Sequence, residues 1–289
     1  MRTEPRRFRR GAAWLLPLVL LHGAAGIAGQ QDAARRPVGI SLAPSVVMLS
    51  GQPGQAYRQT LRLTNHTSRE LAFRLEAQDV VADGGRRVFV RAGERPDSIA
   101  ATAVFLPKEL VIAPGAFGSA DVTLTVPRGT AVRGVAALFR GQTVVGTDRG
   151  VAMMASLGSL ITFTLSDDVR LDATVPEVSE QTQASNLSVA EWVSNAGSEP
   201  VVAGGTAAFL NEAGVLVGKV PVEPQRLMPG ERLLFRAEYP TLLNPGRYRA
   251  LLSLEYDDDQ RKVLTRTAEF AVPALRGDRD AGRSADSRR

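Results

Sequence analysis

An apolar residue at every second position is the pattern that recurs along this chain and constrains its fold most. It runs through residues 59–64, 121–126, 161–165 and 248–256. A period of two places alternate side chains on one face of a β-strand, whereas an amphipathic helix needs a period near ~3.6. Helical spacing is confined to a short stretch near 184–193. The body of the chain is therefore predicted to consist of half-buried strands.

Turn signals separate these apolar runs. Proline presets the first central φ of a type II turn, and the glycine that follows supplies the positive φ. Short strands joined by regular turns are typical of antiparallel β-sandwiches. Pro-Gly occurs four times, at 53–54, 114–115, 229–230 and 245–246.

A weak internal repeat indicates two domains. Residues 106–127 and 224–240 both contain an apolar run, a Pro-Gly pair, an alternating strand and then a proline. A polar break lies at 166–168. We therefore predict an all-β chain of two tandem immunoglobulin-like β-sandwiches, sandwich 1 at 38–166 and sandwich 2 at 169–273, near the ~100 residues usual for this fold.

The first 28 residues have the features of a cleaved signal peptide. An arginine-rich start is followed by an apolar run at 12–21 and a small-x-small cleavage site at 26–28. The apolar run would span ~15 Å as a helix, about half of a bilayer core. An uncleaved membrane anchor is the alternative. We expect a periplasmic or extracellular mature protein with no membrane span.

The two ends carry the basic charge. Residues 1–28 contribute +4 and residues 274–289 contribute +2, which leaves the body at −1 of the total +5. A near-neutral body has no electrostatic footprint for nucleic acid. Residues 29–37 are interpreted as an N-terminal linker, and the polar residues 274–289 as a disordered tail.

The composition excludes several kinds of chemistry. The chain has no cysteine and two histidines, and His22 lies in the predicted signal peptide. Disulfides, thiolate metal sites and histidine triads are therefore excluded or nearly so. We predict no catalytic residue, no metal site and no cofactor, and hence no enzyme. The acidic run 257–259 is interpreted as a solvated hairpin tip, and Trp192 is expected in the core of sandwich 2.

Two segments resemble a known group of proteins. Residues 42–65, LAPSVVMLSGQPGQAYRQTLRLTN, resemble the opening of bacterial two-domain immunoglobulin-like proteins, and residues 98–127, with LPKELVIAPG, continue the likeness. This group includes the periplasmic pilus chaperones and the surface proteins called WxL-interacting proteins. The resemblance covers most of residues 38–273.

The resemblance implies a way of binding. Pilus chaperones lend the last strand of their first domain to an unfinished subunit, so that main-chain hydrogen bonds and alternate apolar side chains hold the partner. In this chain that strand would be residues 151–165. The candidate partner-binding residues share one parity: Met153, Leu157, Ile161, Phe163 and Leu165. The alternative is that these side chains fill the core of sandwich 1.

The sequence departs from the chaperone pattern at the basic anchors. Chaperones of this type hold the subunit's terminal carboxylate with an arginine of the first strand and a lysine of the last strand. Residues 40–49 and 150–165 contain no basic residue. Arg58 and Arg149 are the nearest candidates, and either of them could equally be an ordinary charge at a strand edge. The surface proteins usually end in a membrane-spanning helix, which this sequence lacks.

These observations predict an exported, non-enzymatic chaperone-like or adaptor protein. Its expected partner is another cell-envelope protein, a pilin-like subunit or a surface protein, bound by strand addition along an edge of sandwich 1. The alternative is a cell-envelope binding module that recognises peptidoglycan or another surface polymer.

Overall fold

The computed structural model describes residues 39–142, 145–146, 152–179, 186–256 and 261–273. Within them every element is a β-strand except for one turn of 3₁₀ helix, Ala100–Thr102. The predicted all-β class is therefore confirmed. The predicted signal peptide, the linker, the acidic run 257–259 and the C-terminal tail lie outside the described residues.

Sandwich 1 is built from two main sheets. One has the order β1-β3-β8-β6, and the other has the order β2-β12-β9-β4-β5, with β7 also paired to β4. Strand β12 runs parallel to β2 and antiparallel to β9. A short ribbon, β10-β11, extends from the hairpin of β9 and β12. The strands are β1 (Ile40–Ala43), β2 (Val46–Ser50), β3 (Ala56–Asn65), β4 (Leu71–Asp83), β5 (Arg86–Arg91), β6 (Val104–Leu106), β7 (Glu109–Ile112), β8 (Phe117–Thr125), β9 (Gly134–Gly141), β10 (Val145–Gly146), β11 (Ala152–Met153) and β12 (Ser156–Thr164).

Sandwich 2 is antiparallel throughout its described strands. In its first sheet β15 pairs with β13 and β14 on one side and with β18 on the other. Its second sheet has the order β17-β16-β19-β20. The strands are β13 (Leu171–Ala173), β14 (Glu177–Val178), β15 (Leu187–Asn195), β16 (Val201–Asn211), β17 (Leu216–Leu227), β18 (Arg232–Tyr239), β19 (Gly246–Tyr256) and β20 (Lys262–Val272).

The alternating pattern explains why each sandwich has its own apolar core. Ala120, Val122 and Leu124 of β8 are buried in the first core, and the even-numbered residues of β19 from Ala250 to Leu254 are buried in the second. Each of these strands buries one face because its apolar residues recur with the period of the pleat. The alternation within each sandwich therefore supplies the apolar side chains of that sandwich's own core.

Trp192 is a correction to the sequence prediction, because it lies outside the second core. Its neighbours Glu191 and Val193 occupy the inward positions of β15, so the period of two turns Trp192 outward. The side chain is 41% exposed. The guanidinium of Arg232 lies 4.9 Å from its ring centroid, a cation–π contact on the surface.

Both sandwiches contain the same buried asparagine corner, at Asn65 and Asn195. In each, the amide nitrogen donates to the carbonyl of the residue four positions later, and the amide oxygen accepts from the N–H two positions later. A further bond reaches the carbonyl of Ile112 in sandwich 1 and of Leu227 in sandwich 2. Each of those residues lies two positions before a Pro-Gly pair, so the corner ties a strand end to that turn.

Replacing Asn195 with alanine should destabilise the fold by about 2–4 kcal/mol, because two carbonyls and one N–H would lose their buried partner. Asn211→Ala is the matched control, since its side chain accepts one exposed turn bond from the N–H of Val215. Urea unfolding measures both variants. Equal losses of unfolding free energy would contradict the structural role of the corner.

Glu191 is a buried carboxylate inside sandwich 2. It is 1% exposed, and both of its oxygens lack a hydrogen-bond partner within the described residues. Burial raises its pKa to about 7, and the positive charge of Arg266 opposes this only in part. The folded state therefore holds a proton on Glu191 under conditions in which the unfolded chain would release it.

This buried carboxyl should make stability depend on pH. The ordinary glutamate pKa is 4.5, so between about pH 4.5 and about pH 7 the folded state binds more protons than the unfolded state. The unfolding free energy should therefore fall as pH rises across that window, by about 3 kcal/mol at most. Glu191→Gln cannot ionise, and its unfolding free energy should stay flatter in urea titrations over the same pH range. Identical pH profiles for parent and variant would refute this assignment.

Candidate functional site

The candidate partner-binding strand corresponds to β12 and the ribbon before it. Strand β9 pairs with β12 along residues 156–162, whereas β2 pairs only with residues 160–164. Ile161 and Phe163 are fully buried in the first core. They cannot enter a partner's groove while sandwich 1 stays folded, which corrects the prediction for these two residues in favour of the core-filling alternative.

Two of the other three candidates, Leu157 and Leu165, also face the first core. Leu157 and Leu165 are half-buried and pack against the same core. Met153 lies in β11, where its backbone pairs opposite Val145. The parity chosen from the sequence is therefore the inward-facing one along the part of β12 that the structure describes.

The edge of β12 is nevertheless open at its beginning. The Leu160 N–H donates to the carbonyl of Ser45 on the β2 side. Because backbone groups alternate along a strand, those of Ser156 and Gly158 point to that same side. β2 begins at Val46, opposite Leu160, and no described strand is in register beside Ser156 or Gly158. We call residues 156–158 the open edge.

An exposed apolar side chain lies next to the open edge. Met154, just before it, is 65% exposed, whereas the exposed Met48 of β2 lies farther along β12, opposite Thr162. Leu160, on the outward parity, is half-buried. Exposed methionines are adaptable contacts for an apolar partner. An open strand edge beside apolar side chains is the arrangement that accepts another strand.

The basic candidate Arg58 does not lie at this edge. Arg58 is on β3, in the other sheet, and its guanidinium forms an ion pair with Asp121, which also accepts a hydrogen bond from Thr60. These two hydrogen bonds lower the pKa of Asp121, so it stays ionised. Arg149 lies outside the described residues.

A cleft of about 580 Å³ lies between the two sandwiches and contains a cation that sequence reasoning missed. Its walls include Met48 and Thr162 from sandwich 1 and Pro224 and Arg226 from sandwich 2. The Arg226 guanidinium lies 2.9 Å from the sulfur of Met48 and 3.5 Å from the hydroxyl of Thr162. No sequence signal marked Arg226, because it belongs to a different sandwich from β12.

Arg226 is a partly desolvated charge. Burial lowers its pKa, and the positive charge of Arg87 lowers it further. Within the described residues no carboxylate lies at ion-pair distance from it, although Glu255 also lines the cleft. Such a cation favours an anionic group entering the cleft.

Two ion pairs connect the sandwiches around this cleft. Arg133 donates to Glu199 at 3.0 Å, and Glu199 also accepts from the Leu165 N–H and the Ser166 hydroxyl. Arg87 donates to Glu231 at 2.7 Å. These contacts hold the two walls of the cleft in one arrangement.

An apolar contact between the sandwiches lies beside the ion pairs. The buried side chain of Met228, from sandwich 2, packs against Val80 and Ala136 on the outer face of the β9 sheet. A Cβ at Gly134 would lie 2.6 Å from the terminal methyl of Met228. Glycine at this position of β9 therefore leaves room for the methionine.

Other kinds of site are not evident among the described residues. They contain no cluster of three His, Cys, Asp or Glu side chains that could hold a metal ion. Their helical content includes nothing long and apolar enough to span a membrane.

Comparison with known proteins gives a likeness of fold. No family model and no curated protein matches the sequence. The class 5 fimbriae chaperone CfaA matches 82% of this chain and 100% of its own, with 11% identity and a TM-score of 0.39. The CsuC–CsuE chaperone–tip adhesion subunit complex of Acinetobacter baumannii Csu pili matches 79% and 97%, with 9% identity and a TM-score of 0.40.

A human structure shows a similar fold over a shorter region. PapD-like domain 7 of human CEP192 matches 50% of this chain and 99% of its own, with 12% identity and a TM-score of 0.30. Pilus chaperones are thus among the structural neighbours, as the sequence resemblance predicts. At such identities and TM-scores nothing about function follows from these likenesses.

Replacing Arg133 with methionine should destabilise the protein by about 3–5 kcal/mol, because the fully buried carboxyl group of Glu199 would lose its ion-pair partner. Arg140→Met is the matched control, since its ion pair with Glu76 is about half exposed on both sides and should contribute less than ~1 kcal/mol. Urea unfolding compares the two variants. A loss no larger than that of the control would show that Arg133 does not stabilise the junction.

Proposed function

We propose that this chain is an exported chaperone-like or adaptor protein that binds another cell-envelope protein by adding a strand at the open edge. The observation that carries this proposal is the division of β12. Residues 160–162 are paired with β2 on one side and with β9 on the other, whereas residues 156–158 are paired only with β9 among the described strands. The open part can hydrogen-bond to an added strand, and the part paired on both sides fixes β12 in sandwich 1.

Main-chain hydrogen bonds would supply much of the affinity. The N–H and carbonyl groups of Ser156 and Gly158 point away from β9 and can pair with an extended segment of the partner. The partner's side chains would alternate across this edge and contact Met154 and Leu160 on its outward face. The inward face remains covered by Leu157, so binding does not require the first core to open.

The cleft would receive an end of the bound segment or an acidic side chain from it. An added strand beside residues 156–158 meets the start of β2 and cannot continue along β12. The cleft lined by Met48 and Thr162 begins close to that point, and Arg226 lies in it without a carboxylate partner in the described residues. A terminal carboxylate there would form an ion pair with Arg226, in the role that the arginine and lysine anchors have in pilus chaperones.

Export is part of the same proposal. It rests on the sequence features of residues 1–28, and it places the protein in the periplasm or outside the cell. No observation on the described residues favours the alternative of a peptidoglycan-binding module.

A proline at the open edge tests strand addition. Ser156→Pro removes the N–H that faces the partner, while the bonds to β9 are carried by residues of the other parity, so sandwich 1 should stay folded. Capture of a co-expressed envelope protein encoded beside the chain's own gene should fall by about tenfold or more. Co-purification from the periplasm measures it.

Ser156→Ala is the matched control, because it alters the side chain and keeps the N–H. It should capture the partner as the parent does, and circular dichroism should show an unchanged strand signal for both variants. Undiminished capture by a folded Ser156→Pro variant would refute the strand-addition proposal.

A further inference from the structure

A second concave surface of sandwich 1 lies on strand β4. The cavity measures about 650 Å³, and we call it the basic slot because four cations line it: Arg74, Arg91, Lys108 and Arg140. Glu76 is the one carboxylate among the lining residues. The proposed function does not use this surface.

The slot exists because two short strands leave a gap along one side of β4. Strand β7 pairs with β4 as far as Arg74, and β5 begins its pairing at Gln78. Between them the Leu75 N–H donates to the carbonyl of Lys108. By the alternation of a strand, the backbone groups of Ala77 point into the same gap, where no described strand is in register with them.

The lining of the slot also includes small and apolar side chains. Among them are Ala92, Ala101, Ala103 and Phe105. Small side chains leave room for a ligand to approach the backbone of β4. The slot therefore combines a strand position that has no backbone partner among the described strands with four cationic side chains.

The charges of the slot are only partly balanced by the described carboxylates. Arg140 is paired with Glu76 at 2.7 Å, and Arg91 lies 4.0 Å from Glu94. The side chains of Arg74 and Lys108 form no ion pair with any described carboxylate. Two unpaired cations beside two paired ones favour an anionic ligand.

The slot lies in line with the open edge. Arg140 is opposite Ser156 across β9 and β12, and Arg74 is opposite Arg140 across β4 and β9. Directly opposite residues share a face, and neighbouring strands are ~4.8 Å apart, so Arg74 is about 10 Å from Ser156 across the sheet. A single partner chain can reach both places.

We propose that the basic slot binds an acidic segment of the same protein that adds its strand at the open edge, an inference that rests on the proposed function. Aspartate or glutamate side chains pair with Arg74 and Lys108, and the extended backbone of the segment hydrogen-bonds at Ala77. The gap between two strands suits a peptide, because its backbone supplies the complementary donors and acceptors that a phosphate polymer lacks.

Charge reversal tests the slot directly. The double variant Arg74→Glu, Lys108→Glu should bind a fluorescein-labelled oligoglutamate peptide about tenfold more weakly than the parent, because attraction is replaced by repulsion. Fluorescence anisotropy at low and raised salt measures this, and binding by the parent should weaken with salt. The neutral pair Arg74→Gln, Lys108→Gln should give an intermediate loss.

The matched control reverses two exposed cations of sandwich 2, Lys219→Glu with Arg236→Glu, and should bind the peptide within about twofold of the parent. Equal affinity of parent and slot variant for oligoglutamate would overturn the proposal. So would strong displacement of the peptide by inorganic polyphosphate at concentrations where free oligoglutamate fails to displace it, since that outcome assigns the slot to a phosphate polymer.

The two proposals fail separately. Ser156→Pro should abolish partner capture and leave oligoglutamate binding unchanged, because the open edge and the slot are different surfaces. If the slot variant captures the partner like the parent while Ser156→Pro does not, the slot inference is wrong and strand addition stands. If Ser156→Pro captures normally, strand addition is wrong whatever the peptide does.

Discussion

The pairing of β2 with only half of β12 is the constraint on which the rest of this structure depends. The chain leaves β1 in one sheet, passes Pro44 and enters the other sheet as β2, so it reaches β12 only from Leu160 onward. From there Ile161 and Phe163 are enclosed by strands on both sides and by the core beneath. Before that point the same strand is paired only with β9 among the described strands, so a single sequence segment contributes both to the core and to the open edge.

Buried polar contacts keep this arrangement in place. Glu199 lies at the junction, where three donors from sandwich 1 and the connecting segment, Arg133, Leu165 and Ser166, satisfy its carboxylate. The backbone carbonyl of Glu199 is in turn the acceptor for the asparagine corner of sandwich 2. The junction is therefore coupled to the internal structure of the second sandwich.

The sequence predicts the local features of this protein better than the tertiary ones. Alternation identifies strands such as β8 and β19, because the period of the pleat is a local property. Alternation also shows correctly that Phe163 shares one face of its strand with Ile161 and Leu165. It cannot show whether that face packs into the core or against a partner, since either surface would be apolar. Arg226 was missed because it lies in a cleft formed by both sandwiches. Trp192 was misassigned because its size was given more weight than the alternation, which turns Glu191 and Val193 inward and Trp192 outward.

The two outer strands of the second sheet of sandwich 2 show two ways in which an unpaired strand can be protected. Strand β17 has prolines at 221 and 224, which remove backbone donors. On β20 the side chains of Lys262 and Arg266 donate to the carbonyls of Val169, just before β13, and Ala173, in β13. Both devices hinder pairing with a foreign strand. Ser156–Gly158 contains neither a proline nor a charge. A strand edge that has no partner among the described strands, contains no proline or charge and lies next to the exposed Met154 has the features of an edge kept for a partner.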